Sequence, residues 1–206
     1  GTMPVGPGSY TVTVGEGGSN ASGPGDTPAP GGNSVIAFPS NITALGGGRG
    51  TGNPHFAGSP TSGGSSGGGY PSTSSATQPS ANPGVSGITQ YGNAGGSWPG
   101  PGGNGGGGGG AGGAGSPDGY GGIGRASSIS GTSVTYAGGG DGADQPNSKG
   151  GPGQYGNPGG AGYNNGSPGP QPHRNGAPGT GGGGAAGYGS WGSGGNGGPG
   201  IVIIRY

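Results

Sequence analysis

The stretch GPGGNGGGGGGAGGAG, residues 100–115, decides how the whole chain is read. Glycine stands at 100, 103, 106, 109, 112 and 115 without a miss, and at all six positions from 105 to 110. A second in-phase run occupies 150, 153, 156, 159 and 162, and a third 189, 192, 195 and 198. At this composition about one run of five in-phase glycines arises by chance over the chain, so the runs exceed that expectation. A three-residue period belongs to the polyproline-II geometry, which is left-handed and makes no hydrogen bonds within itself. Every N–H and C=O therefore points sideways and needs an external partner. Where every third residue lacks a side chain, a second such helix can approach along that stripe. Where all three are glycine, as at 105–110, the helix can be enclosed on every side. Alanines such as Ala111, Ala114, Ala161 and Ala185 fit wherever a methyl is tolerated.

Composition supports this reading by exclusion. Of 206 residues, 70 are glycine, 22 proline and none cysteine. Val, Ile, Leu and Phe together number eighteen, too few to fill an ordinary apolar core. Collagen would need unbroken Gly-X-Y phase and more proline, and the phase here keeps breaking. Gly/Ser/Pro-rich linkers are usually disordered because they cannot offset the entropy of ordering, but they lack the positional order seen here. Five Lys and Arg balance five Asp and Glu, which gives no footprint for nucleic acid or anionic lipid. No apolar run approaches a membrane span.

Four segments alternate in the manner of β-strands: near 9–15, 33–46, 126–138 and 200–206. The second is expected to turn near Pro39–Asn41, and the third near Ser130–Gly131, where glycine supplies the positive φ of a tight turn. The expectation is one domain over 1–206: a non-classical bundle of polyproline-II-type glycine helices, capped by a small antiparallel sheet from these four segments, with essentially no α-helix.

Between them lie segments that keep neither period: 51–62, 70–83, 116–123, 141–149, 163–178 and 188–193. Polar, proline-bounded, aromatic-tipped loops on a rigid scaffold are where binding resides. The candidate contact residues are His55, Phe56, Tyr70, Trp98, Tyr120, Tyr163, His173, Arg174 and Trp191. An aromatic lying against a glycine helix to shield its backbone is the blander alternative.

Other motifs carry little. About eight matches to G-x-G-x-x-G are expected by chance at this glycine content, and Lys149 precedes Gly150 rather than Ser or Thr. GGDGAD (139–144) fits the start of a calcium-binding nonapeptide, but it occurs once and Pro146 breaks it. Asp141 and Asp144 therefore read as solvated loop carboxylates. His55 and His173 lack zinc partners at ligand spacing. With one Glu and four Asp scattered among loops, no acid–base pair or triad can be nominated, so neither enzyme activity, metal nor cofactor is expected. Sequons at Asn20, Asn41 and Asn165 matter only in a eukaryotic secretory setting.

The ordered set PGSYTVTVGEGG, NSVIAFPSNITALGGG, GRASSISGTSVTYAGGGD and GGNGGPGIVIIRY resembles the glycine-rich C-terminal domains of bacteriophage tail-fibre and adhesin proteins. The specific parts are SSISGTSVTYAGGG and the terminal GIVIIRY. The resemblance implies a bundle of polyglycine-II helices whose variable loops, at the distal end of a virion tail fibre, bind a host bacterial outer-surface protein or polysaccharide. It also implies the rest of the fibre as a partner, an extracellular virion location, and no nucleic acid or membrane insertion. The N-terminal attachment domain of T-even adhesins is not evident in these residues. Two rival classes are a structural extracellular glycine-rich fibre protein, which would repeat more evenly, and an ice-binding protein, which would show a flat Ala/Thr/Ser face and cysteine cross-links.

Overall fold

A computed structural model describes residues 6–20, 26–38, 41–50, 61–69, 88–97, 105–142, 175–186 and 194–205. No helix occurs among them. Five short strands are present: β1 (Val12–Thr13), β2 (Ser34–Ile36), β3 (Ile42–Ala44), β4 (Arg125–Ser127) and β5 (Val134–Tyr136).

The run at 105–112 shows how the rest is built. Gly106 and Gly109 donate to the carbonyls of Gly69 and Ser66. Gly107 and Gly110 donate to Ser116 and Gly113, and Gly108 and Ala111 to Gly140 and Ala137. Successive N–H groups thus point at three different neighbours, and each neighbour is revisited after three residues. A β-strand, whose period is two, cannot do this. The carbonyls of Gly107 and Gly108 reach two further segments, accepting from Gly96 and Gly122 at 2.7 and 2.8 Å. One extended threefold helix is therefore enclosed by segments 66–69, 93–96, 113–116, 120–123 and 137–140.

The same step of three recurs elsewhere. Gly200 and Gly197 donate to Gly15 and Gly18, and Gly183 and Ala186 donate to Gly138 and Asp141. Gly198 and Gly195 donate to Gly182 and Ala185. Where a helix end runs out of backbone partners, asparagine supplies one. The Asn196 side chain accepts from the Asn20 N–H, the Asn175 side chain accepts from the Asn196 N–H, and Nδ2 of Asn93 donates to Gly110.

Backbone fills the interior. The buried non-glycine residues among those described are Ala185, Ser66 and Asp141. The absence of side chains is obligatory at most bundle positions. A Cβ on Gly106 would fall inside the carbonyl of Gly96, one on Gly109 inside that of Asn93, and one on Gly110 inside that of Ile123. Gly108 is different: its Cβ would meet Gly140 only at ordinary contact, 3.6 Å.

The strands form two sheets rather than one. β1, β2 and β3 are antiparallel in that order, with Val12 opposite Ile36 and Val35 opposite Thr43. Tyr10 and Phe38 pack at the end of this sheet, ring centroids 5.0 Å apart. β4 and β5 form a separate hairpin with Arg125 opposite Tyr136. Both hairpins match expectation, and Gly131, at φ 101°, supplies the predicted turn geometry.

The fourth expected strand, near 200–206, is not a strand: residues 201–205 carry no strand pairing. Ile201 and Ile204 are exposed while Val202 and Ile203 are half-buried, which is a period of three. β-branched residues favour a strand only where a partner strand exists, and none pairs with this segment among the described residues. Segment 116–123, expected to be a loop, is only partly one. After a turn at 116–119 it enters the bundle, with Tyr120 and Ile123 outward and Gly121 and Gly122 buried.

The three-faced arrangement makes a sharp prediction for neighbouring glycines. Gly109→Ala is expected to cost about 2–3 kcal/mol, as overpacking does. Gly108→Ala should stay within about 1 kcal/mol of the parent, since its methyl makes only ordinary contacts and restricts the unfolded chain. Denaturant or thermal unfolding of the two variants measures this; equal losses would contradict the geometry.

Candidate functional site

Of the nine contact residues nominated from sequence, Tyr120 lies within the described residues. His55, Phe56, Tyr70, Trp98, Tyr163, His173, Arg174 and Trp191 lie outside them. Tyr120 is 40% exposed and follows a turn written in Ser116-Pro117-Asp118-Gly119. Proline pre-sets the first turn residue. The Ser116 hydroxyl accepts from the Asp118 N–H at 3.1 Å, and the Gly119 N–H donates to the Ser116 carbonyl at 3.1 Å. Gly119 has φ 92°, a left-handed value that glycine adopts without steric cost. The Ser116 N–H then donates to the Tyr120 carbonyl at 2.8 Å, fixing the residue whose side chain turns outward.

A second arrangement was not nominated from sequence. The guanidinium of Arg125, on β4, lies over the ring of Tyr91, 3.7 Å from its centroid. This is close cation–π contact. Both residues are exposed, and Tyr136 stands opposite Arg125 in the hairpin register. No residue among those described accepts a hydrogen bond or forms an ion pair with the Arg125 side chain. The available signal was the dipeptide Tyr-Gly. Tyr91-Gly92 and Tyr120-Gly121 each set an outward aromatic beside a buried glycine, and aromatic residues at that junction are placed by the scaffold.

Tyr91 and Tyr136 also line a cleft of about 740 Å³. Its walls are bundle segments around 15–18, 46–50, 64–68, 137–141, 181–186 and 194–200. Gly108 is among the lining residues. Charged groups on the walls are Glu16, Arg49 and Asp141.

Asp141 corrects the expectation of a solvated carboxylate. It is 3% exposed, and Oδ1 accepts from the N–H of Gly121 at 2.7 Å. Its carboxylate replaces a carbonyl that the chain does not supply there. Asp144 lies outside the described residues. Among the described residues no three His, Cys, Asp or Glu side chains cluster as a metal site would require, and no helix is long and apolar enough to cross a membrane.

With this architecture in view, the family assignment follows. The chain belongs to the glycine-rich domain family, whose pattern it matches over residues 1–206. No curated protein and no solved structure is significantly similar to it.

Two measurements check the local geometry. Asp141→Ala is expected to destabilise the fold by about 1–3 kcal/mol, because a buried N–H loses its acceptor, and Asp141→Asn, which keeps an oxygen, should cost less. A double-mutant cycle on Tyr91→Leu and Arg125→Gln should give a coupling of about 0.5–1 kcal/mol, read from denaturant unfolding.

Proposed function

We propose that this protein is a phage tail-fibre tip adhesin, which binds a host bacterial surface receptor through side-chain-rich loops on a polyglycine-II scaffold. The supporting observation is the division of labour in the chain. The interior consists of glycine backbone, with Ala185, Ser66 and Asp141 the buried exceptions among the described residues. Apart from caps such as Asn175 and Asp141, the scaffold is held by backbone, so side chains outside it can diverge as host surfaces diverge. The likeness in strand and glycine order to tail-fibre adhesins points the same way.

In this reading the contacts are made by His55, Phe56, Tyr70, Trp98, Tyr120, Tyr163, His173, Arg174 and Trp191. Aromatic faces and polar tips suit either a protein or a polysaccharide, with modest affinity per site raised by several copies on one particle. No catalytic step is required, and no cofactor. The protein would act outside the cell, at the distal end of the virion's fibre and joined to the remainder of it.

The test is binding of the labelled chain to a panel of bacterial strains, beside a variant with 51–62 and 163–178 replaced by Gly/Ser. Saturable, strain-selective binding that drops at least about tenfold on replacement is expected of aromatic contact loops. Absence of selective binding, or binding indifferent to both replacements, would favour a structural fibre protein instead.

A further inference from the structure

We infer that the cleft beside the β4–β5 hairpin is a binding site for an acidic saccharide. This rests on the adhesin reading and names the receptor chemistry at a place separate from the nominated loops. Three observations on the rim and walls converge. The first is the Arg125 guanidinium, whose carbon lies 3.7 Å from the ring centroid of Tyr91. A guanidinium in such a contact can still present its planar fork of donors, suited to carboxylate or phosphate. Among the described residues nothing else uses those donors. The second is the pair of tyrosines, Tyr91 and Tyr136, both lining the cleft. Their rings offer the apolar face on which the C–H side of a sugar ring lies, while the hydroxyls serve its polar edge. The third is the wall itself. Glycine backbone lets a ligand approach closely, and a carbonyl that already accepts one bond keeps a second lone pair for a saccharide hydroxyl.

Size and charge agree with that occupant. A cleft of about 740 Å³ falls in the range of small-molecule sites, about 300–1,000 Å³. Arg49 on the wall, and Arg125 against the wall residue Tyr91, are the cationic groups. Asp141 accepts from the Gly121 N–H, and Glu16 is the other acidic group on the wall. The anionic group of the ligand is therefore placed at the Arg125 end.

The experiment titrates the full chain with tetragalacturonate, pentamannose phosphate and neutral mannopentaose, by calorimetry or backbone-amide chemical shifts. The same variants are then put on the strain panel. Binding of one or both acidic oligosaccharides, at least about tenfold tighter than the neutral one and weakened by added salt, is expected of a charge-assisted contact. The carboxylate and phosphate arms tell the two anions apart. Arg125→Gln should remove the acidic preference, and Tyr91→Leu should weaken all sugars. Val12→Thr, at an exposed strand residue that does not line the cleft, should change neither. Unfolding curves for each variant separate lost binding from lost fold.

Equal affinity for neutral and acidic sugars, or none for any, overturns the inference. If cells are still bound selectively through the 51–62 and 163–178 loops, the adhesin reading stands without it, and the receptor contact is of another kind. If the acidic sugars bind at the cleft but no strain is bound selectively, the saccharide site stands and the adhesin reading fails.

Discussion

The lateral hydrogen bond from one extended glycine segment to another is the interaction on which everything else in this molecule depends. In an α-helix or a sheet, backbone pairing sets local geometry while side-chain burial supplies most of the driving force. Here pairing also does the work of burial. Each segment is too extended to satisfy itself, so it is stable only within a bundle, and the bundle closes only where Cβ atoms are absent. That explains the glycine content more fully than flexibility does. Glycine carries the largest entropic cost of ordering, and the sequence accepts that cost at Gly106, Gly109 and Gly110 because any larger residue would strike a neighbouring carbonyl.

Side chains enter this framework as replacements for missing backbone partners. Asp141 answers the N–H of Gly121, Ser34 that of Gly15, and Asn20, Asn175 and Asn196 join three segments at their ends. The joints between the two periods are also visible. Ala137 follows β5 with φ 52°, an unfavourable value for a residue with a Cβ, where the chain passes from the hairpin to the threefold run beginning at Gly138. Its N–H and carbonyl are both engaged there, with Thr180 and Ala111.

The three-residue phase of 100–115 was legible in the sequence, and so were the hairpins around Pro39–Asn41 and Gly131, because each is a local pattern with a local cause. The end of the chain was misread for the converse reason. Ile-Val-Ile-Ile has the composition of a strand, but no strand among the described residues pairs with it. Asp141 was misread because nothing in GGDGAD says that a carbonyl will be lacking opposite it. Tyr91-Gly92 marks an outward aromatic, but its pairing with Arg125 was out of reach. It requires knowing which segment lies beside which, and glycine runs of equal phase carry little register information. Tyr120 was legible because the turn that presents it, Ser116-Pro117-Asp118-Gly119, is written in four adjacent residues.

An interior made of peptide groups changes how such a protein responds to temperature. The heat capacity of unfolding is raised by newly exposed apolar surface and lowered by newly exposed polar surface. Opening this bundle wets backbone amides and few hydrocarbon side chains, so the increment falls well below the usual ~12–15 cal/mol/K per residue. The stability curve is correspondingly flat. The strong curvature that weakens ordinary domains in the cold is largely absent, and stability rises steadily as temperature falls. A scaffold without a hydrophobic core thus keeps its shape in cold water, where hydrophobic cores lose part of their advantage.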